Sequence, residues 1–205
     1  LGEGDAGNEL SVGDLDGFYK TARAKFDENP SFADRSRARV VLLQGGDTET
    51  LRLWQVLVDE STRYFNEVYQ LLDVLLIDDD LMGESAYHDL LPNVVVRLEE
   101  KGLLKTSDGA DVVFPGGHLN RDGDPLPLIV RKGDGGYNYA TTDLACIIDR
   151  VERLGVDDLL YVVGSPQARH FEMVFAVARQ ADLLDESNRA IHVNFGSVLG
   201  SDGKV

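Results

Sequence analysis

Apolar residues recur at helical spacing through the first third of the chain. Phe18, Ala22 and Phe26 lie four apart, on one face of a helix. Asn29-Pro30 caps and starts a second helix, because proline is tolerated at the first helical position. Gly45-Gly46 ends it, and Asp47 or Thr48 opens a third. Leu51, Trp54, Val58, Ser61, Phe65, Val68 and Leu72 then follow the three-and-four spacing of one buried stripe, expected to be core. Residues 15 to 72 are thus predicted helical.

The pattern changes after Leu72. The run LDVLLI, Leu72 to Ile77, predicts a short strand, and Asp78-Asp79-Asp80 a polar corner. LPNVVVRLEE, Leu91 to Glu100, predicts a helix stopped by Gly102. Val112-Val113-Phe114 before Pro115-Gly116-Gly117 predicts a strand and a tight turn. From Leu126 strand and helix alternate. Leu128–Arg131, Leu159–Val163 and Ile191–Leu199 are expected strands. A helix capped by Thr141 or Thr142 is expected to run to about Leu154, and another from Phe171 to Ala181. Such alternation predicts an α/β fold with parallel strands buried on both faces.

Composition narrows the function. The chain has 205 residues, 43% of them apolar, so it can bury a sizeable core. Its net charge of -16 argues against a broad phosphate-binding surface, since nucleic-acid affinity comes largely from Lys and Arg. The single cysteine, Cys146, sits in an apolar run and excludes an internal disulfide framework. With no secretory leader and no run approaching about 18 apolar residues, a cytoplasmic protein without a membrane span is expected. The polar, Gly-rich opening LGEGDAGNELSVGD predicts a loop or frayed end.

In a parallel sheet, ligands bind beyond the carboxyl ends of the strands. Two stretches fall there. In GGYNYATTD, Tyr139 and Asp143 are four apart, so a helix would put both on one face. A carboxylate beside a phenol suits a planar guanidinium with five donors. The same spacing also fits an aspartate supporting its own helix and a tyrosine packed on the sheet. In GSPQARH, Gln167 and His170 are three apart at a helix start. They suit an amine and a nucleotide, or simply a helix corner with a surface histidine. Asn120-Arg121-Asp122-Gly123-Asp124 lacks the alternating acids of a calcium loop and reads as a hairpin turn. The four histidines show no close ligand pairing. GxxxxGK[ST] does not occur.

Seven segments together resemble the catalytic region of arginyl-tRNA synthetase, a class I aminoacyl-tRNA synthetase. They are DLDGFYKTARAKFDENPSFADRSR, LWQVLVDESTRYF, GESAYHDLLP, SDGADVVF, PLPLIVRKGDGGYNYATTDLA, LLYVVGSPQARHFEMVFAVA and HVNFGSVLGSDGK. The resemblance implies the second half of a class I Rossmann-like nucleotide-binding fold with a preceding mostly helical insertion. Residues 1–72 would be the helical insertion, 73–125 a connecting α+β segment, and 126–205 the second half of the catalytic fold. It implies ATP-dependent activation of arginine and transfer to tRNA, with ATP and Mg2+ as a substrate complex and no tightly bound cofactor. Tyr139, Asp143 and Gln167 would bind arginine. His170, His192, Val193, Phe195, Gly196 and Val198 would lie at the ATP. No residue is implied as a catalytic acid or base.

The family's HIGH-like strand, its lysine-bearing phosphate loop and its appended tRNA-binding domains are not among these residues. The expectation is therefore a portion of an arginine-tRNA ligase, inactive alone, touching tRNA through regions largely absent here. The alternative is a free-standing synthetase-like protein that binds arginine, or an arginine-like metabolite, without charging tRNA. Gly133 stands where the family usually has serine, His88 where it has asparagine, and Ile148-Asp149 in a usually basic segment.

Overall fold

The computed structural model describes residues 15–197, 199, 200 and 203. The polar opening segment and Val198 lie outside the described residues. Two compact units follow one another along the chain, the first up to Leu81 and the second from Met82.

The first unit is helical. Helix α1 spans Leu15–Glu28, α2 Pro30–Gln44 and α3 Thr48–Leu71. The expected caps hold. The Asn29 side chain accepts from the Phe32 N–H at 3.0 Å, with Pro30 in the first turn. Asp47 caps α3, accepting from the Thr50 N–H at 2.9 Å and the Thr50 hydroxyl at 2.6 Å. Those hydrogen bonds hold the Asp47 carboxyl below its usual range.

Two expectations fail here. The run LDVLLI is not a strand. Leu72 is the C-cap of α3, and Asp73 follows with φ of 53°. The Val74 N–H then reaches the Tyr69 carbonyl at 2.9 Å and the Asp73 N–H the Gln70 carbonyl at 3.4 Å. This is a Schellman closure, made with aspartate where glycine is usual. A run of apolar residues cannot distinguish a strand from a helix end followed by an irregular segment. The α3 stripe is also not core. Leu51, Phe65 and Leu72 are exposed, and Trp54, Val58, Ser61 and Val68 half-buried. Periodicity shows which face is apolar, not whether anything covers it.

The second unit opens with a 3-10 helix, Glu84–Leu90, that runs into α4, Leu91–Glu100, closed by Gly102 at φ of 66°. Strands β1 (Lys105–Ser107), β2 (Ala110–Val113) and β3 (Leu128–Arg131) form an antiparallel sheet in the order β1-β2-β3. The segment from His118 to Leu126 makes the expected hairpin turn. Asn120 Oδ1 accepts from the Asp122 and Asp124 N–H groups, both at 2.9 Å, beside a Leu119–Pro125 bridge.

Helix α5 follows at Tyr139–Ile148, then β4 at Asp158–Gly164, α6 at Ala168–Gln180 and β5 at Arg189–Phe195. Strands β4 and β5 pair in parallel, Asp158 with Arg189 through Gly164 with Phe195. With α6 between them they make a βαβ unit, so the fold is α/β. The parallel arrangement does not extend to β3, which pairs with β2. Helix–strand alternation fixes element order but not which strands pair. Burial also differs from expectation. Tyr161 packs on Phe171 and Phe175 of α6, at 5.0 and 5.1 Å between ring centroids. Leu160, Val162, Ile191, Val193 and Phe195 on the other face remain exposed.

The core gathers around Val94, Leu98, Val130, Leu144, Ile147, Val174 and Val177, each fully buried. Each such side chain contributes about 1.5–3 kcal/mol by leaving water. Cys146 is buried in this cluster as expected. Burial pushes its thiol above the usual range, and the charges of Asp143 and Asp149 add to that. It behaves as a small core residue, not as a nucleophile.

Candidate functional site

The first corner of the site joins β3 to α5. Gly135 turns the chain at φ of 88°, and the Asp134 side chain accepts from the Gly136 N–H at 2.9 Å. Gly133 sits so close to this turn's neighbour that a Cβ would stand 3.2 Å from the Gly109 carbonyl oxygen. The N-cap of α5 is Asn138, whose side chain accepts from the Tyr139 N–H. Neither expected threonine caps the helix. Thr141 instead is fully buried and donates its hydroxyl to the Val130 carbonyl of β3 at 2.6 Å. Threonine does both jobs in sequence terms, and only the packing of α5 on β3 separates them.

This registration starts α5 at Tyr139, so Tyr139 and Asp143 share a face, one turn apart. The second corner follows β4. Ser165–Gln167 forms a single 3-10 turn, Gln167 is the N-cap of α6, and His170 lies in its first turn. Ser165 donates its hydroxyl to the Phe195 carbonyl at 2.9 Å, tying this loop to the end of β5. Arg169 donates to the Leu119 carbonyl, fixing the hairpin against the start of α6.

The two corners meet. His170 Nε2 lies 2.6 Å from Asp143 Oδ2. A carboxylate only accepts, so the imidazole carries its hydrogen on Nε2. The Tyr139 ring packs on that imidazole with centroids 4.6 Å apart and planes at 50°. Behind it, His170 meets Phe171 at 5.2 Å, and Phe171 meets His192 at 5.3 Å. His192 Nε2 lies 2.8 Å from the Val163 carbonyl, so it too is protonated on Nε2. Exposure falls inward along the cluster. Tyr139 is 55% exposed, the Asp143 side chain 27% and the His170 side chain 12%.

Of the expected arginine-binding residues, Tyr139 and Asp143 are thus brought together, and Gln167 stands exposed one turn before His170. Among the described residues no hydrogen bond links Gln167 to the other two. The expected ATP-binding residues divide. His192 faces α6, whereas Val193 and Phe195 project from the opposite, exposed face of β5, and Gly196 follows the strand. Sequence reasoning missed Asn138, Ser165 and Arg169, which hold the corners, and gave Thr141 a capping role in place of its bond to Val130. Asn138 was legible as a helix-capping residue type; the other three depend on distant partners.

Below the cluster, the Arg150 guanidinium lies over the Tyr161 ring, its Cζ 4.9 Å from the centroid. Burial pushes the Tyr161 hydroxyl well above its ordinary range.

Aromatic side chains and the Asp143 carboxylate thus converge where the corner after β3 meets the corner after β4. Residues 2–205 match the family of class I tRNA synthetases (R), catalytic domain, and the chain belongs to that family. It is 54% identical over 205 residues to the arginine–tRNA ligase of Thermobifida fusca, covering all of this chain and 35% of that protein. It is 48% identical over 204 residues to that of Azotobacter vinelandii, again covering 35% of it. The crystal structure of the arginyl-tRNA synthetase from Plasmodium falciparum superposes with a TM-score of 0.75 at 26% identity, over 92% of this chain and 30% of that one. The chain thus spans about a third of the length of the curated relatives it matches. No helix among the described residues is long and apolar enough to cross a membrane.

Proposed function

We propose that this chain is part of an arginine-tRNA ligase catalytic domain and carries the arginine-recognition side of its site. The observation that carries this reading is the convergence of Tyr139, Asp143 and His170 at the open end of the α/β unit. The partly open Asp143 carboxylate supplies charge and acceptor oxygens for a guanidinium, and the Tyr139 phenol an adjacent oxygen and ring face. Gln167, on the next corner, would accept from the α-amino group. His192, on the face of β5 that packs on α6, would form the ATP side. His170 stands between the two groups.

In the whole protein, the arginine carboxylate attacks the α-phosphorus of ATP. A carboxylate–phosphorus bond forms and pyrophosphate leaves. A ribose hydroxyl of tRNA then attacks the arginyl carbonyl, AMP leaves, and the hydroxyl proton is released. The attacking carboxylate needs no base, so the residues here act by positioning and charge. ATP would arrive as its Mg2+ complex.

Arginine-dependent ATP–pyrophosphate exchange tests this reading. The full-length product of the gene should exchange, and residues 1–205 alone should not. Exchange by the 205 residues would overturn the division of labour, and no exchange by the full-length product would overturn the assignment.

A further inference from the structure

Resting on that reading, we infer that His170 is the positioning residue for arginine recognition. It holds the Asp143 carboxylate in place from below, and it is not a ligand of ATP. Three observations carry this. First, among the described residues the only hydrogen bond to Asp143's carboxylate comes from His170, at 2.6 Å. An aspartate on the exposed first turns of a helix otherwise rotates freely about its side-chain bonds, and a fork of two parallel bonds to a guanidinium needs a fixed carboxylate plane. Second, the order of exposure separates a support from a plug. A histidine occupying the substrate's place would lie on the solvent side of Asp143. His170 is instead the more buried partner, 12% against 27%. Asp143 is the more exposed of the two. Third, the imidazole is itself locked, packed between Tyr139 and Phe171 and backed through Phe171 by His192.

The chemistry is that of a fixed ring N–H donor. With a hydrogen on Nε2, His170 uses one lone-pair site of Oδ2 and leaves the remaining acceptor sites of the carboxylate for a guanidinium.

The test uses the full-length gene product, with arginine and ATP varied separately in pyrophosphate exchange. His170→Phe keeps an aromatic ring but removes the donor. It should raise the KM for arginine by about ten- to a hundredfold, the range expected for a lost hydrogen bond to a charged group, with the KM for ATP unchanged. His170→Gln places an amide N–H at nearly the same reach and should return the arginine KM to within about threefold of the parent. His170→Asn, whose shorter amide cannot reach Oδ2, should behave like the phenylalanine variant and replaces it if that variant does not fold. An unchanged arginine KM in the donor-free variants overturns the inference. So does tighter arginine binding, which would make His170 a competitor for Asp143, and so does a rise confined to the KM for ATP. Asp143→Asn is run alongside. If it leaves the arginine KM unchanged, the arginine reading itself fails and His170's role falls with it. If it raises that KM while His170→Phe does not, only the role of His170 is wrong.

Discussion

Asp143 and His170, 27 residues apart in the chain, meet at 2.6 Å where the β3–α5 corner faces the β4–α6 corner. The contact ties two separate corners into one site. Its geometry depends on four side chains outside it: Asn138 and Thr141 set the start of α5, and Ser165 and Arg169 set the start of α6. The stability of those corners therefore bears directly on the site.

Thr141→Val should destabilise the chain by about 1 kcal/mol. The substitution keeps the buried volume and removes the hydroxyl donor to Val130. The Val130 carbonyl retains the Asn138 N–H at 2.9 Å, which limits the loss. Thr141→Ser should lose less. Urea unfolding with an unchanged slope measures both, and a neutral Thr141→Val would remove this bond from the list of corner supports.

Leu144→Ala should cost about 2–5 kcal/mol, because Leu144 is fully buried in the core of the second unit and the space it leaves cannot close completely. Thermal unfolding monitored by circular dichroism reads the effect. A shift of only a few tenths of a kcal/mol would show that the core relaxes around α5.

Asp73→Gly should stabilise α3 by about 0.5–1 kcal/mol. Asp73 occupies the left-handed position of a Schellman closure, which glycine adopts without strain. The gain is the relieved strain less the extra freedom glycine has when unfolded. A lower unfolding midpoint would mean that the aspartate side chain supports the turn.

Stability should fall in acid. The Arg97 guanidinium holds the Glu152 carboxyl below its ordinary range, and Arg153 does the same for Asp149. Carboxyls lowered in the folded state bind protons more readily when unfolded. Their contribution is present above the ordinary carboxylate range and is lost as pH falls below about 4, through the lowered folded values. Glu152→Gln should flatten that acid limb while changing neutral-pH stability little, since the pair is partly exposed. An acid limb of the same steepness in the variant would assign the acid sensitivity elsewhere.

Local signals carried much of the fold. Asn29-Pro30 and Asp47 announced two helix starts, because capping chemistry is written in adjacent residues. The run LLYVV gave β4 through its apolar continuity. LDVLLI carried the same signal but ends a helix, because Asp73 takes a left-handed conformation that aspartate only occasionally adopts. The partner of β3 was not legible, since pairing joins residues distant in sequence. Within the site, the shared face of Tyr139 and Asp143 followed from their spacing of four. The hand of His170 on Asp143 did not, because it depends on how two separate corners face each other. His192, Val193 and Phe195 looked like one lining, yet strand alternation puts His192 on the face opposite the other two.

Arginine use by the Asp143→Asn variant of the full-length gene product is the decisive measurement. The amide keeps the shape of the side chain and removes the charge that a guanidinium needs. The KM for arginine in ATP–pyrophosphate exchange should rise by about thirtyfold or more, corresponding to about 2 kcal/mol for a cation left without its partner, with the KM for ATP unchanged. An arginine KM equal to that of the parent protein would contradict the assignment of this corner to arginine.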